Sequence, residues 1–426
     1  MRPWYVLIFV AAVMAVLGGL YWIFPGDSED SEVSEYSEYS EYSEESDTIA
    51  EFPLFAEDTA SNEFQQPQTI SNDIKPPHVS VDSTTDSRVF LGSFYASLAE
   101  TADRKVRVLH YGDSQIEEDR LTQQIREALQ SRYGGRGVGL MPLAQTIPTR
   151  TIRQELHMNG RFVPPTQGPR RYFVHGFKRD QRADGLYGPM GQMSEMNDSL
   201  VSGSEEIMAV CTPLIPDARY DTWRVFADSS VHYTFSGDTV RLHGRGKVYG
   251  LSQESTAGII VDNIPLRGCI GTVFTRMDSA QLGTFYSEQN VRLIIMQFGG
   301  NAIPSNKNPG TIQAIVKGLR DQVRYLQHCA PEASILFIGP SDMLTQTEGE
   351  WTTYPMVPYM DKLLRKMALE ENIAYFSLYR WMGGAGSMLH WQEIGLAGSD
   401  GVHFTRAGAR KAGNAVAEWI VEKAEN

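Results

Sequence analysis

The stretch KVRVLHYGDSQ, residues 105–115, is an apolar run that ends abruptly on small and polar residues. Lys105–His110 reads as a strand apolar on both faces, the pattern of a strand covered on both sides rather than one facing water. Gly112 and Asp113 then break the run, and Glu117–Arg132 reads as a helix with Leu121, Ile125 and Leu129 on one face. A buried strand feeding a helix is the start of a parallel α/β unit.

The same rhythm returns further along. Val291–Gln297 (VRLIIMQ) and Ser334–Ile338 read as buried strands, and Ile373–Leu378 as a short one. The helices between and after them are Thr311–Cys329, Tyr359–Glu370 and Arg406–Lys423. Thr311–Cys329 turns Ile312, Ile315, Leu319, Val323 and Leu326 inward, and Arg406–Lys423 turns Ala412, Val416 and Ile420. Alternation of this kind predicts an α/β fold, a parallel sheet with helices on both faces. Order is expected to begin near Val89, where Val89, Phe90, Phe94 and Leu98 repeat at helical spacing.

Residues 141–285 break the rhythm. They hold short alternating runs (WRVFA at 223–227, VHYTF at 231–235, TVRLHG at 239–244, GIIVD at 258–262) among frequent turn residues. This predicts an inserted β-sandwich-like module. The expected organisation is therefore 1–24, a membrane segment; 25–87, a tether; 88–140 and 286–426, the α/β domain; and 141–285, the β-rich insert.

The first two segments follow from composition. Trp4 to Phe24 is an uncharged apolar run of 21 residues. At ~1.5 Å per residue it matches a hydrocarbon core of ~30 Å. Arg2 precedes it and Asp27, Glu29 and Asp30 follow, so the positive-inside bias sends the rest of the chain across the membrane. Bulky Tyr21, Trp22 and Phe24 at its end favour an uncleaved anchor over a signal peptide. Residues 25–51 carry eleven Asp and Glu and no Lys or Arg, with Ser-Glu-Tyr three times in succession from Ser34. Self-repulsion and scarce apolar surface make this an extended spacer. The chain's formal charge of -14 owes most to that segment, and no basic face suggests nucleic-acid binding. The three cysteines, Cys211, Cys269 and Cys329, form no CxxC or Cys/His cluster, so no zinc site is expected and the thiols read as buried and inert.

Four segments carry chemistry. In Gly112-Asp113-Ser114, the serine stands at the carboxyl edge of the sheet, where open α/β folds place their sites; a helix N-cap is the other reading of such a serine. Phe298-Gly299-Gly300-Asn301-Ala302 leaves a second strand, and its glycines let backbone approach a ligand while Asn301 turns its amide to the same edge. A plain turn would use the same residues. In residues 268–274 (GCIGTVF), Gly271 or Gly268 is placed to offer a backbone N–H. Asp400-Gly401-Val402-His403 precedes the last helix. That spacing brings a carboxylate to Nδ1 of the imidazole and leaves Nε2 to take a proton from Ser114; Asp400 as a turn cap is the alternative. A serine hydroxyl needs such a base to act as a nucleophile. His110, on the strand, reads as a core residue, and Asp342 as a turn cap.

Taken together, Gly112-Asp113-Ser114, Gly271, Gly299-Gly300-Asn301 and Asp400-Gly401-Val402-His403 resemble the four blocks of the SGNH/GDSL hydrolase family. The resemblance covers residues ~105–140 and ~285–423. It implies Ser114 as nucleophile, His403 as base, Asp400 as its orienter, and an oxyanion hole of Ser114 N–H, Gly271 N–H and the Asn301 side chain. Asp113, Gly299 and Gly300 support them, and no metal or cofactor is implied. Gln115 stands where the signature has Leu, and Ala302 where it has Asp. With the membrane segment and the insert, the chain is similar to bacterial SGNH proteins of polysaccharide and peptidoglycan O-acetylation, whose insert looks like a carbohydrate-binding sandwich. The implied activity is removal of O-acetyl groups from an envelope or extracellular glycan, with the catalytic domain in the periplasm or outside the cell. An O-acetyltransferase fed by a membrane O-acyltransferase, and a non-catalytic glycan-binding protein, are the alternatives.

Overall fold

The strand that begins at Lys105 runs to Gly112 (β1), and from Val106 onward every residue of it is buried. The computed structural model describes residues 86–164, 169–173, 190–196, 206–215 and 219–424. β1 sits inside a five-stranded sheet ordered β12–β1–β13–β14–β17, in which every pairing is parallel. The other strands are Gly258–Pro265 (β12), Val291–Gln297 (β13), Ser334–Gly339 (β14) and Ala374–Ser377 (β17).

Helices cover both faces. Ser279–Glu288 (α3), Pro309–Cys329 (α4) and Val357–Glu370 (α5) close one apolar core. Gly92–Ser97 (α1), Thr122–Tyr133 (α2) and Arg406–Ala424 (α8) close the other. Between α5 and α8 lie the short helices Leu378–Met382 (α6) and Ser387–Glu393 (α7). The α4 sequence dictates its own start and register. Asn308 caps the Gly310 N–H, Pro309 takes the first turn, and Ile312, Val316, Leu319, Val323 and Leu326 form the buried stripe. At the chain's entry Leu91 and Phe94 are buried, while Val89, expected on that face, is exposed.

Two antiparallel sheets enclose a third core. One is ordered β4–β3–β7–β10–β9, from Arg161–Phe162 (β4), Ile152–Met158 (β3), Glu206–Pro213 (β7), Thr239–Gly244 (β10) and Val231–Ser236 (β9). The other runs β2–β11–β6–β5, with β8 also on β11, from Gly139–Met141 (β2), Gly246–Glu254 (β11), Gln192–Met196 (β6), Arg170–Phe173 (β5) and Thr222–Ala227 (β8). Ile152, Leu156, Ile207, Val240 and Leu242 face Met141, Met196, Trp223, Val248 and Leu251. β7 alternates buried and half-buried residues, as a strand with one core face must.

Two expectations change. The run at 258–262 is not a sandwich strand. β12 pairs in parallel with β1 from Lys105↔Gly258 to Gly112↔Pro265, and its residues 258–262 are all buried. With α3 on the sheet as well, the antiparallel part ends at Glu254 rather than near 285. The helix expected from Glu117 starts at Thr122, after a 3-10 stretch over Ser114–Asp119. Glu118 (φ 58°) and Asp119 (φ 64°) are left-handed, held there by Arg120 and Arg150 on the first, and by Arg126 and Thr151 on the second.

The apolar run at 4–24 and the acidic run at 25–51 lie outside the described residues. Among the described residues no helix is long and apolar enough to cross a membrane. The three cysteines are unpaired and buried. Burial pushes the Cys211 thiol up to about 12 and those of Cys269 and Cys329 to about 11, which keeps them unreactive.

Candidate active site

Three chain segments meet at the carboxyl edge of the parallel sheet. The first leaves β1, where the Asp113 side chain accepts the Gln115 N–H at 3.0 Å and closes a tight turn with Ser114 at its apex. The second leaves β13. Gly299, at φ 111°, takes a conformation open to glycine, which turns the chain back so that Asn301 faces the first turn. The third is the loop before α8, pinned by an isolated bridge between Ala397 and Phe404.

That third loop builds itself around Asp400. Its Oδ1 accepts the backbone N–H of Val402 at 2.9 Å and of His403 at 3.0 Å, and its Oδ2 accepts His403 Nδ1 at 2.7 Å. Partial burial raises the Asp400 pKa, but the imidazole and the two N–H groups outweigh this and bring it down to about 2. The carboxylate is therefore ionised, and Nδ1 carries the proton directed at it. Nε2 is then the acceptor, and Ser114 Oγ donates to it at 2.9 Å. Residues 289 apart in sequence thus form an unbroken line of hydrogen bonds from carboxylate to hydroxyl. Such a line can draw off the serine proton as the oxygen attacks a carbonyl.

The remaining expected residues are placed as follows. Asn301 Nδ2 donates to Asp113 Oδ2 at 3.1 Å and to the Cys269 carbonyl at 3.3 Å. The Ser114 turn, the Asn301 turn and the 266–271 turn are thereby tied together. Burial pushes the Asp113 carboxyl up to about 6, against the lowering pull of the Gln115 N–H and of His403. Gly300 lies beside Asp113, its virtual Cβ 3.8 Å from Oδ2. Gly271 lies in the same turn as Cys269. Its N–H donates to Cys269 Sγ at 3.2 Å, and a Cβ there would strike Phe298 and Leu319. Its φ of 95° fits packing in the core, whereas Gly268 has open space around it.

His110 and Asp342 take the bland readings. His110 is fully buried between Gln297 Oε1 and Thr122 Oγ1, and burial lowers it to about 3, so it stays neutral. Asp342 accepts the Met388 N–H at the start of α7 and the Thr353 hydroxyl. Among the described residues no group of His, Cys, Asp and Glu is arranged to hold a metal ion.

Sequence reasoning missed two contacts around the serine. Gln115 Nε2 donates to the Val402 carbonyl at 2.7 Å. The buried Glu117 carboxylate accepts Arg267 Nε at 2.8 and 3.0 Å, joining the Ser114 turn to the 266–271 turn. The run of three carboxylates at 117–119 was the only local signal of that clamp.

No family model and no curated protein matches the chain. Solved structures do. One described as "Peptidoglycan O-acetylesterase in action, 5 min" superposes with a TM-score of 0.63 at 19% identity, over 80% of this chain and 99% of that one. The chain shares that fold. A carbohydrate acetylesterase from Sinorhizobium meliloti (TM-score 0.28, 18% identity) covers 39% of this chain and 79% of its own. The periplasmic domain of a lipopolysaccharide acetyltransferase from Salmonella ser. Paratyphi A (TM-score 0.27, 12% identity) covers 38% and 72%.

Proposed function

We propose that the chain is a serine esterase that removes O-acetyl groups from an envelope or extracellular glycan through an acetyl-Ser114 intermediate. The observation that carries the reading is the continuous Asp400–His403–Ser114 hydrogen-bond line at the sheet edge.

In this mechanism His403 Nε2 takes the Ser114 proton as Oγ attacks the acetyl carbonyl. The tetrahedral oxyanion is met by the Ser114 N–H, at the first turn of the 3-10 stretch where N–H groups lack helical partners, and by Asn301 Nδ2. The oxyanion replaces the Cys269 carbonyl as an Asn301 partner; hydrogen bonds at such sites commonly tighten only once substrate is bound. The Gly271 N–H, which has the weak acceptor Cys269 Sγ as its partner, is the third donor of the set. His403 returns the proton to the departing sugar oxygen. A water, deprotonated by His403, then attacks the acetyl-serine; the bond from the acetyl carbon to Ser114 Oγ breaks, Oγ takes the proton back from His403, and acetic acid leaves and ionises to acetate.

The glycan substrate is supported by the fold shared with a structure named for a peptidoglycan O-acetylesterase. It is also supported by the four-block resemblance, and the antiparallel sandwich is assigned in this reading to holding the glycan. The envelope location rests on the apolar run at 4–24. The test uses the full chain in detergent, wild type and Ser114→Ala, with an activated acetyl ester. The wild type is expected to give a burst and a single-acetyl mass gain on Ser114, both absent from the variant. Acetate release from O-acetylated glycan, with and without added sugar acceptor, then separates hydrolysis from transfer. Absence of adduct together with no acetate release from any acetylated glycan would refute the reading.

A further inference from the structure

Gln115 is held at both ends. Its N–H is fixed on Asp113 Oδ1, and its side chain reaches across to the loop that carries the base, where Nε2 donates to the Val402 carbonyl at 2.7 Å. Val402 immediately precedes His403. The peptide unit between them is therefore gripped on both sides, its carbonyl by Gln115 and its N–H by Asp400 Oδ1. A peptide unit is planar, so fixing both groups fixes the plane from which the imidazole projects. Among the described residues, the hydrogen bonds that join the nucleophile turn to the 400–403 loop are this one and the Ser114–His403 bond.

A second observation sets Gln115 apart from a residue chosen for packing. Its Oε1 is buried and has no hydrogen-bond partner in the structure. A buried acceptor left unpaired is destabilising, and an apolar side chain of the same length would avoid the cost. The carboxamide is present in spite of its oxygen, which leaves its N–H as the useful half.

We infer that Gln115 is a positioning residue: its Nε2 holds the Val402–His403 peptide so that His403 Nε2 stays in line with Ser114 Oγ. It acts through His403 and touches no substrate. A leucine at this place, as in the Gly-Asp-Ser-Leu signature, makes no such bond, so in this chain the alignment of the base depends on a contact that the leucine-bearing signature lacks. The inference rests on Ser114 being the nucleophile.

The experiment compares full-length wild type, Gln115→Met and Gln115→Glu. Methionine removes both the donor and the unpaired acceptor at similar length; glutamate keeps the shape and removes the donor. Three readouts are taken: the second-order rate of Ser114 modification by an aryl sulfonyl fluoride, kcat and KM on an activated acetyl ester, and the melting temperature. Both variants should lose ~10- to 100-fold in modification rate and kcat, the scale of a misplaced catalytic group, with KM unchanged. Gln115→Met should melt no lower than wild type. Rates within about twofold of wild type in either folded variant, or a loss that tracks a fall in melting temperature, would overturn the inference. If wild type itself is not labelled on Ser114, it is the nucleophile assignment that fails, and the two failures are told apart.

Discussion

Asp113 shows how much a single side chain beside Ser114 can constrain. One oxygen caps the turn at Gln115 and the other takes the Asn301 amide, and the group is 5% exposed. Its pKa of about 6 in the fold lies above the ordinary 3.8. The folded protein therefore binds this proton more tightly than the unfolded chain. The stabilisation is full below pH ~4, and is lost as pH rises through ~6, by on the order of 3 kcal/mol. Asp113→Asn should remove that fall, so the difference in unfolding free energy between variant and wild type should change between pH 4 and 6 and be flat above 7. Denaturant titrations at several pH values check this. Asn301→Ala, which loses both the Asp113 contact and a proposed oxyanion donor, should cut kcat on an acetyl ester by ~10²–10³. At this scale the sequence is legible where chemistry is local. The Asp400–His403 spacing can be read because three residues fix the geometry. The Asn301–Asp113 and Gln115–Val402 bonds span 188 and 287 residues, and no local pattern announces them.

Elements were legible where burial was two-sided and long. Val291–Gln297 reads as a covered strand because six of its seven residues are fully buried. Gly258–Pro265 was misplaced for the same reason turned round: a short apolar run bounded by glycine looks alike in a sandwich and in a parallel sheet. The late start of α2 was not readable, since Glu118 and Asp119 are held left-handed by Arg150, Arg126 and Thr151, which are remote or on the far side of the turn. The 398–404 loop makes its own prediction. Gly401 has φ 70°, and a Cβ there would come within 2.9 Å of the Leu344 side chain, while the Leu344 backbone N–H donates to the Gly401 carbonyl. Leu344 opens a hairpin, Leu344–Thr347 (β15) and Glu350–Thr353 (β16), so the loop and the hairpin root are seated on each other. Gly401→Ala should destabilise by ~1–2 kcal/mol, from backbone strain and the close contact, and should slow acetyl-ester turnover at least tenfold by displacing His403. Melting curves and steady-state rates read both effects.

On the scale of the whole molecule, the sandwich is bound to the parallel sheet by buried charge. Arg107 on β1 donates to both oxygens of Asp262 on β12, at 2.8 and 2.7 Å, and pairs with Glu254 at the end of β11, which also takes Lys105. Burial raises the Glu254 carboxyl, but Arg107 and Lys105 outweigh it and hold the group at about 2. Glu254→Gln leaves Arg107 and Lys105 short of a counter-charge, and should cost on the order of 3 kcal/mol at pH 7 by denaturant unfolding. The loss should shrink as pH falls from ~4 toward 2, where the wild-type carboxylate itself protonates. The strands by which the chain enters and leaves the sandwich are neighbours: Gly139 lies opposite Gln253, and Met141 opposite Leu251. An excursion of more than a hundred residues therefore begins and ends at one rung of a ladder. In evolutionary terms this is a cassette site, at which a whole accessory layer can be gained, exchanged or shed by a splice of a few residues while β1, β12 and the serine turn stay in register. Such a splice leaves Arg107 with Asp262 but without Glu254, and takes Arg150 and Thr151 away from Glu118 and Asp119, so a shortened chain that keeps its serine reactive is expected to carry new partners at those three places.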